Sequence, residues 1–182
     1  MARNTLSRSL HDVGLAAWFG GTLANAVALN PAAAEAGDAS STGRVANKGW
    51  DRWTPVNAAA IGAHLIGSIG QLGANSDRVR VQRGVAGMVV VKTGLTAAAL
   101  GATAYSRVLG KRVSQHGNVP AATGTTPAAS TPDDVAKAQQ QLSMLQWAIP
   151  ALTGALEVIS AFAGEQQRYS EVKKGVVDRI LR

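Results

Sequence analysis

Two charged residues, Lys92 and Glu157, lie within long stretches of the sequence that are otherwise free of charge. Lys92 is the only charged residue of 84–106, and Glu157 is the only one of 138–164. A charge inside a membrane span is energetically costly, so such residues are candidates for function. Lys92 lies eight residues after the start of its stretch and Glu157 eight residues before Glu165, which places both about 12 Å from the same end of antiparallel helices. The matching depth predicts a direct ion pair, because a lone buried charge is unfavourable.

His64 is the only histidine deep within an apolar stretch, 54–76. A buried membrane histidine can ligate haem iron or relay a proton. His11 lies at the edge of the first apolar stretch, so the two histidines are expected at different depths, and a haem held by this chain alone is not expected. A hydrogen bond to a neighbouring helix is the simpler role. The polar residues available for it are Gln71, Asn25 and Glu157.

The sequence also excludes several kinds of chemistry. It has no cysteine, so disulfides, thiolate metal sites and thiol catalysis are absent. We find no GxxxxGK, HExxH or GxSxG pattern, and therefore expect neither a familiar enzyme nor a metal site. The net charge of +7 comes from Lys and Arg beside the apolar stretches, which is typical of contact with anionic lipid rather than nucleic acid.

Four elements long enough to cross a bilayer carry these residues. A helix rises about 1.5 Å per residue, so roughly 20 apolar residues span the hydrocarbon core. The sequence predicts an all-α, integral membrane four-helix bundle over 1–164. A soluble bundle is the alternative, but the second stretch lacks the polar stripe of a water-facing helix. The predicted spans are 13–29, 54–76, 84–106 and 138–164.

The connections between the spans predict the orientation. Alternate connections carry ten Lys and Arg on the side of the termini against seven on the other, which favours cytoplasmic termini in a plasma or inner membrane. Asn30-Pro31 is expected to end the first helix, and Pro55 to begin the second. Trp50 and Trp53 are expected to anchor the second span at the membrane interface.

Two further segments differ in composition. The stretch 119–132 consists almost wholly of Ala, Thr, Pro, Gly and Ser and predicts a flexible loop. The tail, 165–182, has apolar residues at helical spacing and basic residues on the other faces. It predicts an amphipathic cytoplasmic helix that lies on the membrane or docks on a partner. Its basic residues are Arg168, Lys173, Lys174, Arg179 and Arg182.

Small residues four apart recur in the spans and allow helices to approach closely in lipid. Four spans satisfy only part of this surface, so a further helix from another copy or another subunit is expected. The sequence thus favours a non-catalytic accessory or scaffold subunit of a larger, bacterial membrane complex. A small transporter or proton-conducting protein using Lys92, Glu157 and His64 is the alternative. No cofactor is predicted within the chain, and a haem or quinone site shared with a partner subunit is the further alternative.

Overall fold

All of the long secondary-structure elements in the described part of the chain are α-helices. The computed structural model describes residues 4–76, 83–117 and 119–165. Their four long helices are α1 (Thr5–Ala24), α2 (Ala39–Ala74), α3 (Arg83–Gln115) and α4 (Asp133–Glu165). No strand occurs among the described residues, apart from one isolated bridge between Ala121 and Pro127. The prediction of an all-α protein is confirmed.

Three of these helical segments are long and apolar enough to cross a membrane: Thr5–Ala36, Gly84–Gln115 and Asp133–Gly164. The predicted second span, 54–76, is helical but does not belong to this set. The reason is its polar content, since Asn57, His64 and Gln71 interrupt the apolar half of α2. The chain thus has the length and composition of a membrane protein, with three helices that meet this test.

The first helix continues past the predicted stop at Asn30-Pro31. After α1 the chain forms a π-helical turn over Asn25–Leu29, an α-helical turn over Asn30–Ala32 and a 3-10 turn over Ala33–Ala36. Pro31 lies in the first turn of a new helical segment, where its missing N–H is not needed. The prediction that Asn30-Pro31 ends the helix is therefore wrong.

The second helix begins much earlier than predicted. Asp38 caps α2, with the Ser41 backbone N–H donating to its carboxylate at 2.9 Å. This hydrogen bond and one from the Ser41 hydroxyl lower the pKa of Asp38. Most of the predicted polar connection is consequently helical, and Pro55 lies inside α2 rather than at its start. A capped start outweighs the low apolar content of this segment.

Tight packing joins the helices in two pairs, α1 with α2 and α3 with α4, and α1 also packs on α4. A core of buried apolar side chains lies where the pairs meet. In contrast, α2 and α3 make few direct contacts, and cavities lie between them. The core residues are Leu15, Trp18, Ala60, Ala99, Ile149 and Leu156.

The low-complexity segment, 119–132, is packed rather than flexible. Val119 and Ala121 are buried, and the Ala121 N–H donates to the Ala39 carbonyl at 3.0 Å. The buried Thr131 hydroxyl donates to the Pro120 carbonyl at 2.6 Å. Val119 joins an apolar cluster with Leu109 and Val113 of α3 and Val135 of α4, and hydrogen bonds hold the small side chains of the rest of the segment over the end of the bundle. Residues 77–82 and 166–182, including all five predicted basic tail residues, lie outside the described residues.

Candidate functional site

A group of titratable side chains, of which the two histidines are buried, joins α1, α2 and α3. We call His11, Asp12, His64 and Lys92 the histidine–lysine centre. Lys92 Nζ lies 3.2 Å from His11 Nε2, and His11 Nδ1 lies 2.7 Å from Asp12 Oδ1. The rings of His11 and His64 have their centroids 4.6 Å apart. The His11 and His64 side chains are almost fully buried, whereas Asp12 has 57% of its side chain exposed. The centre therefore connects the interior of the bundle with its surface.

The direct ion pair predicted for Lys92 and Glu157 is not formed. Among the described residues Lys92 makes its polar contact with His11 instead. Glu157 is close enough to act electrostatically on Lys92, but its buried Oε1 has no hydrogen-bond partner in the described part of the chain. Equal depth on two helices does not specify which faces meet, and Lys92 lies on the α3 face that approaches α1.

The two histidines lie together, although the sequence placed them at different depths. The helix begins at Thr5 rather than Val13, so His11 lies within the helix rather than at its edge. His64 Nδ1 lies 3.4 Å from the His11 carbonyl oxygen, and His64 Nε2 is buried without a partner among the described residues. The two rings are in contact, which leaves no room for a porphyrin between them.

Glycines bring α1 and α2 close enough for this contact. A methyl group at Gly14 would lie 2.5 Å from both the Ala60 carbonyl oxygen and the His64 backbone nitrogen. A methyl group at Gly67 would clash with the His11 backbone nitrogen. Such small residues permit backbone contact between helices in lipid. The centre therefore depends on two glycines at this contact, of which only Gly67 belongs to the predicted spacing of small residues.

A cavity of about 410 Å³ between α2 and α3 reaches the centre. Its lining includes Lys92 and His11 together with Ser68, Thr96 and Gln71. The Gln71 Nε2 atom is buried and has no hydrogen-bond partner among the described residues. The rest of the lining is largely apolar. This cavity, which we call the Lys92 cavity, gives a small polar species a way to reach the amine of Lys92.

A second cavity, of about 310 Å³, lies between α2, α3 and α4 beneath the packed segment 119–132. Trp50 and Trp53 line it. Trp50 donates to Asn30 at 3.0 Å, and Trp53 packs against Gly21. The two tryptophans thus face the bundle, whereas the sequence predicted simple interface anchors. We call this space the tryptophan cavity.

The two cavities meet at a single described side chain, Leu100, which lines both. The ion pair of Arg107 with Asp51, at 3.0 Å, bridges α3 and α2 beside the tryptophan cavity. Together the cavities form an interrupted path along the gap between α2 and α3. A hydrophobic constriction of this kind can gate a path by excluding water.

Asn30 organises the end of the bundle that holds the tryptophan cavity. It donates to Gln146 at 2.7 Å, accepts from Trp50, and its carbonyl accepts the Gly124 N–H at 2.9 Å. Sequence reasoning missed this role and those of Asp12, Asn57 and Gln139. The adjacent His11-Asp12 pair and the buried amides were visible in the sequence, but no spacing rule connects residues on different helices.

No three side chains of His, Cys, Asp or Glu lie together as a metal site within the described ranges. Comparisons with protein-family models, curated proteins and solved structures find no match to this chain.

Proposed function

We propose that this chain is a multi-pass membrane protein that moves protons, with Lys92 and His11 as the groups that bind and pass them. The observation that carries the proposal is the hydrogen-bonded sequence Lys92–His11–Asp12, which runs from a cavity to the surface. A structural ion pair explains the buried charge less well, because Lys92 makes no direct contact with Glu157 among the described residues. We further propose four spans with both termini in the cytoplasm.

The geometry suits a stepwise proton transfer. The Lys92 ammonium donates a proton to His11 Nε2 and becomes a neutral amine, while His11 Nδ1 releases its proton to the Asp12 carboxylate. The imidazole carries both steps because its two nitrogens exchange donor and acceptor roles. The exposed Asp12 carboxyl then releases its proton to water, and a new proton from the Lys92 cavity restores the ammonium. His11 must then exchange its tautomer or rotate its ring before the next transfer. This change of His11 is the step that resets the path.

His64 and Glu157 act on this path without lying in it. The His64 ring lies against the His11 ring in a tilted arrangement, while its own buried Nε2 has no hydrogen-bond partner among the described residues. Glu157 lies close to Lys92, and its buried Oε1 has no hydrogen-bond partner among the described residues. Leu100 separates the Lys92 cavity from the tryptophan cavity, so it limits how far a continuous chain of water extends.

Purified protein in liposomes tests the proposal. A potassium diffusion potential drives protons inward, and an enclosed pH-sensitive dye reports them. We expect Lys92→Met to lower the proton flux at least about a hundredfold, the smallest effect typical of losing a proton-transfer group. We expect Leu100→Ala to raise it, because a smaller side chain lets the two cavities join. Lys111→Met is the matched control, since this lysine is exposed on the same helix and its loss should change nothing.

Each outcome has a clear meaning. A wild-type flux equal to that of empty liposomes overturns the proposal. A Lys92→Met variant that folds, as judged by circular dichroism, and conducts like the wild type removes Lys92 from the path. If Lys92→Met lowers the proton flux and Leu100→Ala raises it, misfolding alone does not explain the result. Misfolding would change the flux in the same direction in both variants.

A second candidate function, an accessory subunit of a membrane complex, is favoured by the outer face of α3. Only 6% of the most apolar stretch of this helix is buried within the described part of the chain. Methyl groups at Gly87, Gly94 and Gly101 would meet nothing within 4 Å. Such an open small-residue face suits a partner helix. Gly94→Leu should abolish co-purification of the partner in mild detergent, whereas Gly20→Leu, on the open face of α1, should not.

A further inference from the structure

Three side chains that line the tryptophan cavity each carry a buried polar atom without a partner among the described residues. The atoms are Trp53 Nε1, Asn57 Oδ1 and Gln139 Oε1. Gln139 is 2% exposed and Asn57 is 8% exposed. A buried polar atom left unpaired costs about 1–3 kcal/mol, so three of them on side chains around one space favour an occupant that can form hydrogen bonds. A lipid chain does not meet this need, because it offers no donor or acceptor.

From this arrangement we propose that the tryptophan cavity binds a small planar aromatic molecule that carries hydroxyl groups, the chemistry of a phenol or a hydroquinone. The walls are mainly apolar and include the rings of Trp50 and Trp53, which suit the flat faces of an aromatic ring. A hydroxyl group both donates and accepts a hydrogen bond. It therefore accepts from Trp53 Nε1 and donates to Asn57 Oδ1 or Gln139 Oε1.

The size and charge of the cavity narrow the class further. Its volume of about 310 Å³ lies at the lower end of small-molecule sites and suits a fused bicyclic ring system. The nearby charges of Arg107 and Asp51 neutralise each other in an ion pair, so no free charge favours an anion or a cation. An uncharged ligand fits these observations best.

Two probes of equal shape test the inference. 1,5-Dihydroxynaphthalene carries the hydroxyl groups, and 1,5-dimethylnaphthalene replaces them with methyl groups. Their fluorescence anisotropy reports binding to the full chain in lipid nanodiscs, with empty nanodiscs as the background. We expect the diol to bind at least tenfold more tightly, because one satisfied buried polar atom is worth about that factor. Equal affinities, or no saturable binding of the diol above the background, overturn the inference.

Variants place the binding in this cavity. Trp53→Phe keeps an aromatic ring but removes the indole N–H, so the diol should bind about tenfold more weakly while the dimethyl probe is unaffected. Gln139→Met should weaken the diol in the same selective way. Trp147→Phe is the control, because Trp147 lies exposed on α4. If neither cavity variant alters the diol affinity relative to the control, the probe binds elsewhere and the inference fails.

The ligand chemistry has two natural sources, a free aromatic metabolite and the head group of a prenylated membrane hydroquinone. Adding a prenyl tail to the diol distinguishes them, since only a membrane ligand should gain specific affinity that Trp53→Phe removes. Binding does not depend on proton movement, so its failure and the failure of the flux assay are separate results.

Discussion

The contact between α1 and α2 gives a sharp prediction for two glycines of the same helix. A methyl group at Gly14 would lie 2.5 Å from the Ala60 oxygen and the His64 nitrogen, whereas one at Gly20 would meet nothing within 4 Å. Ordinary contact distances are about 3.5–4.0 Å, so Gly14→Ala must push the helices apart by about 1 Å. The crowding atoms belong to the backbone and cannot rotate away.

The expected change in the free energy of unfolding has two contributions, one shared by both variants and one that applies only to Gly14→Ala. Both changes favour the helix by about 0.5–1 kcal/mol, because alanine has the higher helix propensity. Only Gly14→Ala adds overpacking, which costs about 1–3 kcal/mol. We therefore expect Gly20→Ala to be stabilised and Gly14→Ala to be less stable than Gly20→Ala by about 1–3 kcal/mol.

Reversible unfolding in mixed detergent micelles, followed by circular dichroism, measures the difference. The comparison cancels the propensity contribution, since the two positions share α1 and the same substitution. Equal free energies of unfolding for the two variants would refute the close approach of α1 and α2. The position of His11 beside His64 would then lose its support as well.

Three further predictions follow from the polar contacts. Asn30→Ala should destabilise the protein by at least about 2 kcal/mol in the same unfolding assay, because Trp50 and Gln146 lose their partner. Asn25→Ala is the control, because among the described residues the Asn25 side chain bonds only to Gly21, one turn earlier. In a double-mutant cycle, Lys92 should couple with His11 by at least about 0.5 kcal/mol and less with Glu157, and the reverse order would contradict the contact. A cysteine at Ser130 should react with an impermeant thiol reagent in intact cells, and one at Thr5 only after lysis; the opposite pattern would invert the proposed topology. Both positions are exposed, and the chain has no native cysteine.

The apolar stretches predicted the helices well but not their ends. Charge-free runs report the length that can be buried, so α3 and α4 contain their predicted spans. Helix ends depend on local capping and on turns that continue a helix past a weak stop. Asp38 and Pro31 act in this way, and neither effect appears in hydropathy.

The sequence predicted which residues belong to the candidate site better than it predicted which residues they contact. Lys92 and His64 do belong to the centre, because a polar side chain in an apolar run signals a special environment. Their partners depend on which helix faces meet, and a one-residue rotation turns a side chain by about 100°. The depth of Lys92 therefore did not distinguish Glu157 from His11. The packed segment 119–132 was missed because its composition suggests no core, whereas the single side chain of Val119 joins an apolar cluster and hydrogen bonds hold the rest.

The distribution of contacts indicates where the protein can change shape. Glycines hold α1 against α2 through backbone contact, and packed cores of this kind resist continuous deformation. Few contacts join α2 to α3, and a partly exposed ion pair between Arg107 and Asp51 bridges them. Such exposed pairs contribute little stability. Any movement that widens the path at Leu100 therefore separates α2 from α3, since that separation breaks the weakest set of contacts and leaves the contacts of His11 with Asp12 and His64, within the α1–α2 pair, intact.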